Sequence, residues 1–268
     1  MKVTKPPFFA TMLTAFLFVA VAGHVQPAFA QDENAEDVWQ VEITPYLFGA
    51  GLKGTVGFKG VVADIDVGVD ELLDNLNKAF MLFATAERNN WVFALDTMYF
   101  NLENEQTRTW QGPLGNTSTA ELKADVEEQI FALAAGRRIV DDRSKVDVLA
   151  VARYTGLETS LGLKLTTGPP LLPDGSRSIN VKESWWDAAI AVKGKLPIAQ
   201  KWDLTGYADV GAGGSDLTYQ VMLGVNWQFS RVFSAKLGYR YLYQDYRKDD
   251  FIWDMASSGV ILGLGIRF

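Results

Sequence analysis

The chain has 268 residues, no cysteine and one histidine, with 48 % apolar and 21 % charged residues and a formal net charge of −7. Without thiols there is no disulfide, cysteine nucleophile or thiolate metal site, and the composition is neither disordered nor fibrous. Lys2 and Lys5 are the only charges among residues 1–30, which also hold the one histidine, His24, so the chain beyond them carries a net charge of −9. That acidic remainder speaks against nucleic acid or anionic lipid as a partner held by bulk charge. Lacking histidine, it also has no Ser-His pair and no imidazole base.

Residues 1–30 read as a cleaved secretory signal: two lysines, an apolar run from Phe8 to Gly23, then Ala28-Phe29-Ala30 as a small-x-small cleavage site. Residues 31–37 form a short periplasmic segment on this reading, and 38–268 one domain. Beyond the leader the sequence alternates with period two. Strands are expected at 38–50, 79–88, 91–103, 121–139, 146–163, 180–196, 202–211, 217–229, 233–245 and 252–268. Residues 53–58 and 62–67 look like a further hairpin turning at Lys59-Gly60, which would raise the count from ten to twelve if it joined the sheet. Val69, Leu72, Leu73 and Leu76 then follow at helical spacing, with Asp70 and Glu71 in the first turn, as a short helix in the first outer loop.

The faces of these strands are those of a membrane barrel. On 217–229, Leu217, Tyr219, Val221, Leu223, Val225, Trp227 and Phe229 alternate with Thr218, Gln220, Met222, Gly224, Asn226 and Gln228. On 233–245 the polar face is broken only by Leu242. Apolar faces free of charge and closed by aromatics invert the soluble arrangement and fit an apolar exterior around a polar lumen. Trp91 and Tyr99 stand eight residues apart on one face, which at about 3.3 Å per residue and a tilt near 40° spans roughly 20 Å of bilayer. Trp39, Trp202 and Trp227 sit at other strand ends, where an interfacial belt places them. Short turns at Arg88-Asn89-Asn90, 141–145, 197–201 and Ser230-Arg231 alternate with longer connections at 104–120, 165–178, 212–216 and 246–250. A bulge at Glu127-Glu128 is expected to restore alternation in 121–139. The fold class is therefore all-β, an antiparallel up-and-down transmembrane barrel, with both termini periplasmic.

The chain resembles small Gram-negative outer-membrane β-barrel proteins. The residues carrying the resemblance are Thr44–Leu47, Gly54–Gly57, Asp70–Leu76, Gly206–Ser215 and Gly238–Leu242. It is more distantly similar to opacity-type, OmpW-like and OmpA-like barrels. The last strand, with Leu264, Ile266 and the terminal Phe268, resembles the signal read by the barrel-assembly machinery. The resemblance implies outer-membrane lipid and lipopolysaccharide as surroundings, and it carries no established activity. The enzymes known among such barrels rely on a histidine beside Ser or Asp, which residues 31–268 lack, so no catalytic residue, cofactor or metal is expected.

Strand parity places Glu42, Tyr46, Glu87, Asp96, Arg153, Glu183, Asp187, Lys193, Asp203, Asp209, Lys236, Arg240, Gln244 and Arg267 in the lumen. Signs this evenly mixed suit either an ion-selective pore lining or a network of paired charges that fills the barrel. Ten strands make a barrel only slightly wider than the eight whose side chains fill it, so a filled lumen in a non-enzymatic structural or surface protein is the expected outcome, with a narrow channel as the alternative. Asp245, Asp249, Asp250 and Asp254 near the outer rim could gather a hard cation but lack EF-hand spacing. Asn116-Thr117-Ser118 and Gly211–Gly214 read as loop composition, the latter because a strand rather than a helix follows it.

Overall fold

A computed structural model describes residues 38–111, 117–167 and 175–268. Residues 1–37, with the expected secretory signal and periplasmic segment, lie outside them. The chain forms eleven strands and one helix: β1 (Gln40–Phe58), β2 (Val61–Val67), α1 (Val69–Asn75), β3 (Leu76–Arg88), β4 (Trp91–Gln111), β5 (Thr117–Asp141), β6 (Lys145–Thr167), β7 (Gly175–Ala199), β8 (Trp202–Gly213), β9 (Leu217–Gln228), β10 (Phe233–Lys248) and β11 (Phe251–Arg267). From β3 to β11 neighbours in sequence pair antiparallel, β1 pairs with both β2 and β3, and β11 returns to β1 to close the barrel. At that closing seam a Cβ on Gly259 would stand 1.8 Å from the carbonyl oxygen of Gly49, so the strands approach closely there only because this position has no side chain.

Eleven strands make a barrel of ten staves. β2 and β3 lie on the same edge of β1, with Leu52–Phe58 against β2 and Gln40–Pro45 against β3. Together they are one descending stave, interrupted by α1. The registers measure the interruption. Continued from Pro45↔Leu82, the β1–β3 ladder would set Leu52 against Asn75; Leu52 instead meets Val67, eight residues earlier. The hairpin at Lys59-Gly60 is real, both residues having the positive φ of a two-residue hairpin turn, but it extends existing staves and adds none. The twelve-strand alternative is thereby excluded. Asn89 and Asn90 turn the next hairpin in the same way.

Two other expectations change. The described residues of 104–120 and 165–178 are strand: β4 and β5 pair without a break from Trp91↔Arg137 to Gln111↔Thr117, and β6 and β7 pair out to Leu165↔Gly175. An antiparallel ladder satisfies its own backbone groups and runs on into water once the turn is set at its tip. The remaining loop residues, 112–116 and 168–174, including Pro169, Pro170, Pro173 and Asn116, lie outside those described. Nor is there a bulge at Glu127-Glu128, since both residues pair in register with β4 and β6. The alternation there is regular, and Glu128 simply points inward, 5 % exposed.

Parity sorts every stave into an inner and an outer face. Outward residues at mid-height are bare and apolar: Ile190 (67 % exposed), Leu223, Val210, Leu237 and Leu262. At the turn-side end they give way to Trp39, Trp91, Trp202 and Trp227, with Trp202 and Trp227 stacked at 5.7 Å between ring centres. Arg88 and Arg137 lie over the Trp39 and Trp91 rings. Towards the far end the sidedness inverts. On β10 and β11 the outward positions become Asp245, Arg247 and Asp254, while the inward ones become Tyr246, Phe251, Trp253 and Met255. On β7, outward Ile190 is followed by exposed Lys182, and inward Lys193 by buried Trp185. The lower barrel is apolar outside and polar inside. The upper barrel is the reverse, as in a soluble protein.

Candidate functional site

The lumen has three storeys. At the turn-side end, charges from distant staves converge on a cavity of about 390 Å³. Glu42 on β1 accepts from Lys236 on β10 and, at 2.6 Å, from Arg267 on β11. Glu87 on β3 accepts from Arg138 on β5 at 2.7 Å and Lys193 on β7 at 2.9 Å. The same two bases also reach Asp147 on β6, at 2.8 and 3.4 Å. Lys195 pairs with Asp203 at 3.0 Å, and Asn226 donates to the same carboxylate. Each carboxylate in this storey meets more than one donor, the condition for tolerating charge away from bulk water.

The waist is buried and its charges pair across the lumen. Arg240, 1 % exposed, lies 3.0 Å from Asp96 and donates to the Tyr46 hydroxyl at 3.0 Å and to Gln220 at 2.5 Å. Tyr46 in turn donates to Asp96 at 2.7 Å. Arg153, also 1 % exposed, donates to Asp209 at 2.5 Å and to Thr218 at 2.7 Å. Gln244 donates to Thr155 beside them. Leu242, the exception on its polar face, meets Met98 and Ile130 here and begins the change to an apolar interior.

The outer storey is an apolar cluster of Leu52, Leu157, Trp185, Tyr246, Phe251, Trp253 and Met255, against which Leu72 of α1 packs. Trp185 and Tyr246 stack at 4.1 Å between ring centres, and the Tyr246 hydroxyl donates to Glu183 at 2.9 Å. The indole N–H groups of Trp185 and Trp253 are buried without a described partner. Outside this storey, exposed ion pairs decorate the strand extensions: Lys182 with Glu158, and Arg247 with Asp245 and Asp254. The Lys182 ammonium is held above its ordinary pKa by its hydrogen bond to Glu158. The rim carboxylates Asp245 and Asp254 are thus engaged by Arg247, and Tyr243 also donates to Asp254.

No family model and no curated protein matches the chain by sequence. Solved structures match it by fold. The outer-membrane protease OmpT of Escherichia coli superimposes with a TM-score of 0.54 at 10 % identity, over 87 % of this chain and 98 % of that one. The translocator domain of the autotransporter NalP from Neisseria meningitidis gives 0.37 at 14 % identity, covering 97 % and 96 %. The attachment invasion locus protein Ail of Yersinia pestis gives 0.30 at 14 % identity, covering 87 % and 99 %. The fold is that of the Gram-negative outer-membrane β-barrels.

Within this barrel the residues singled out from sequence fall into separate groups. Glu42, Lys236 and Arg267 form one cluster, Glu87 and Lys193 belong to a second, and Asp203 to a third. Asp96 with Arg240, and Asp209 with Arg153, make the waist. Asp187 stands apart: it accepts from the backbone N–H of Ser215 at 2.8 Å and so fastens the β8–β9 connection. Arg138, Asp147 and Lys195 were not anticipated. Continuing inward parity from Ile130 through Ala132, Ala134 and Gly136 reaches Arg138, and stepping back from Arg153 reaches Asp147. The expected bulge at Glu127-Glu128 concealed the first of these. Leu264, Ile266 and Phe268 lie along the closing edge, where Ile266 is set against Ile43 and the Phe268 amide donates to the Val41 carbonyl.

Proposed function

We propose that this chain is an integral outer-membrane protein whose lumen is closed, with a non-enzymatic structural or surface-interaction role. The observation that carries the reading is the waist, where the buried pairs Arg153–Asp209 and Arg240–Asp96 meet across the lumen beneath a stacked aromatic cluster. The bare apolar exterior beside the belt of Trp39, Trp91, Trp202 and Trp227 supports membrane insertion, because water would not tolerate so large an apolar belt. The inversion of sidedness marks where the bilayer ends and water begins. Lipid and lipopolysaccharide are then the surroundings of the belt, and the closing edge at Leu264, Ile266 and Phe268 is what the barrel-assembly machinery would read.

OmpT is a protease, but at 10 % identity that likeness concerns the fold alone. The one histidine of this chain, His24, lies in the leader, so no imidazole is available to the barrel. Single-channel recording of residues 31–268 refolded into a planar bilayer tests the closed lumen. Silence from inserted, folded protein is the expected result. Steady steps whose ion preference changes on Arg240→Ala would replace this reading with a narrow channel.

A further inference from the structure

The interrupted stave leaves two strand edges open. β2 pairs with β1 on one side, and no strand among the described residues pairs with its other side. β3 begins at Leu76, set against Leu102, so β4 from Glu103 to Gln111 has β5 on one side and no described strand on the other. The two edges do not close on each other. Nearly all Cα atoms of β2 lie more than 8 Å from those of β4, whereas paired strands run about 4.8 Å apart. Asp64 of β2 is level with Thr55 of β1 and, beyond it, with outward Asp254 of β11, the height at which the outer wall has turned to charge and faces water.

The turns fix which backbone groups these edges present. In a two-residue hairpin the flanking residues, here Phe58 and Val61, form a hydrogen-bonded pair, and bonded and unbonded pairs alternate from there. Val62, Asp64 and Asp66 fall in the unbonded pairs, so their N–H and C=O groups point away from β1 to the open edge. Counting in the same way from the Asn89-Asn90 turn, Glu103, Glu105 and Thr107 present theirs on the side that β3 leaves vacant. All six residues are exposed. The side chains beside both edges are acidic, and α1, which touches β1 and β4, adds exposed Asp70, Glu71 and Asp74. The bases beside them are fewer: Lys53, paired with Asp66 at 3.0 Å, Lys123, paired with Glu105 at 3.2 Å, and Lys78.

An unpaired edge is a template for another strand, and folded proteins ordinarily blunt theirs with lysine, proline or a covering element. The β2 sequence, VVADIDV, contains neither lysine nor proline. We propose that the open edge of β2 is a docking site for an extended cationic segment of a partner protein, which joins it antiparallel as a further strand. Residues directly opposite in a ladder share a face, so Lys or Arg at alternate positions of that segment stand against Asp64 and Asp66. A second copy of this chain does not fit, because edge-to-edge pairing would set the same acids against each other. The inference deepens the surface-interaction reading above and rests on it.

The test uses residues 31–268 refolded into phosphatidylcholine vesicles and a fluorescent peptide of alternating lysine and threonine, with binding followed by anisotropy. One comparison peptide replaces lysine by glutamate. Another is methylated on the lysine backbone nitrogens, the ones that face β2 in the proposed ladder, and so probes the edge without any change to the protein. Saturable binding of the unmodified lysine peptide alone is expected. Asp64→Pro removes an edge N–H while leaving β2 its bonds to β1, and should weaken binding about tenfold. Asp64→Ala keeps that N–H and removes a charge, and should weaken binding about threefold. Equal binding of the methylated peptide, or equal affinity of wild type and Asp64→Pro, would overturn strand addition. Equal binding of the glutamate peptide would overturn the cationic assignment, and absence of binding to inserted, electrically silent protein would overturn the site. Failure to insert, or steady conductance, would instead overturn the reading on which the site rests.

Discussion

The lower and upper halves of this lumen are lined by the same ten staves and obey the same parity, yet they are built from opposite chemistries. Below, inward positions carry Glu42, Glu87, Arg138, Lys193 and Lys236; above, they carry Trp185, Tyr246, Phe251 and Trp253. The difference follows from what lies outside the wall. Where the exterior faces hydrocarbon, burying apolar side chains inside gains nothing over leaving them in lipid, and cross-lumen hydrogen bonds and ion pairs hold the staves together instead. Where the exterior faces water, the ordinary hydrophobic effect returns and fills the interior with rings. In a barrel of this kind the interior reports the solvent on the other side of the wall.

Removing one member of a buried ion pair separates the two regimes most sharply. Arg153→Met leaves the Asp209 carboxylate buried without its base, and a loss of about 3–5 kcal/mol is expected in urea unfolding from lipid vesicles. Adding Asp209→Leu should restore most of that loss; a double variant as unstable as the single one would show that the pair itself holds the waist. Trp185→Ala attacks the upper half by opening a cavity opposite Tyr246, with an expected cost of about 3 kcal/mol on the same assay. That cost should not change with salt, and marked salt dependence would contradict an apolar upper storey. Lys193→Ala is milder, since Arg138 still serves both Glu87 and Asp147. Because Lys193 is partly open to the basal cavity, about 1 kcal/mol is expected, shrinking as salt is added. Least of all, Lys53→Ala removes an ion pair whose two side chains are 77 % and 75 % exposed, and unfolding should shift by no more than about 0.5 kcal/mol. A larger effect there would mean that the β1–β2 hairpin depends on this pair.

The waist was partly legible in sequence because Arg153, Asp209, Asp96 and Arg240 each interrupt or complete an alternating strand on its polar face. Their partnerships were not. Arg153 and Asp209 are 56 residues apart, and Lys236 and Glu42 are 194 apart, so no local pattern connects them. Counting lumen charges by sign gave a near balance but missed that Glu42 is shared by two bases and that Asp187 serves a backbone amide. The upper cluster was hidden for another reason. Tyr246, Trp253 and Met255 occupy the face that is polar lower down, so a reading that assigned one polarity to each face for a whole strand could not hold there.

By itself the sequence determined the alternation, and with it which side chains face inward. It also determined the Lys59-Gly60 and Asn89-Asn90 turns and the helix at Val69–Asn75, because each depends on residues within one strand, turn or helical repeat. Only the tertiary structure decided that β2 and β3 are one stave split by an eight-residue insertion, and that β4–β5 and β6–β7 stay paired out to Gln111↔Thr117 and Leu165↔Gly175. It alone also decided which lumen charges meet. Register and cross-lumen pairing are set when the sheet closes and β11 finds β1, an event that brings together residues with no local reason to be neighbours.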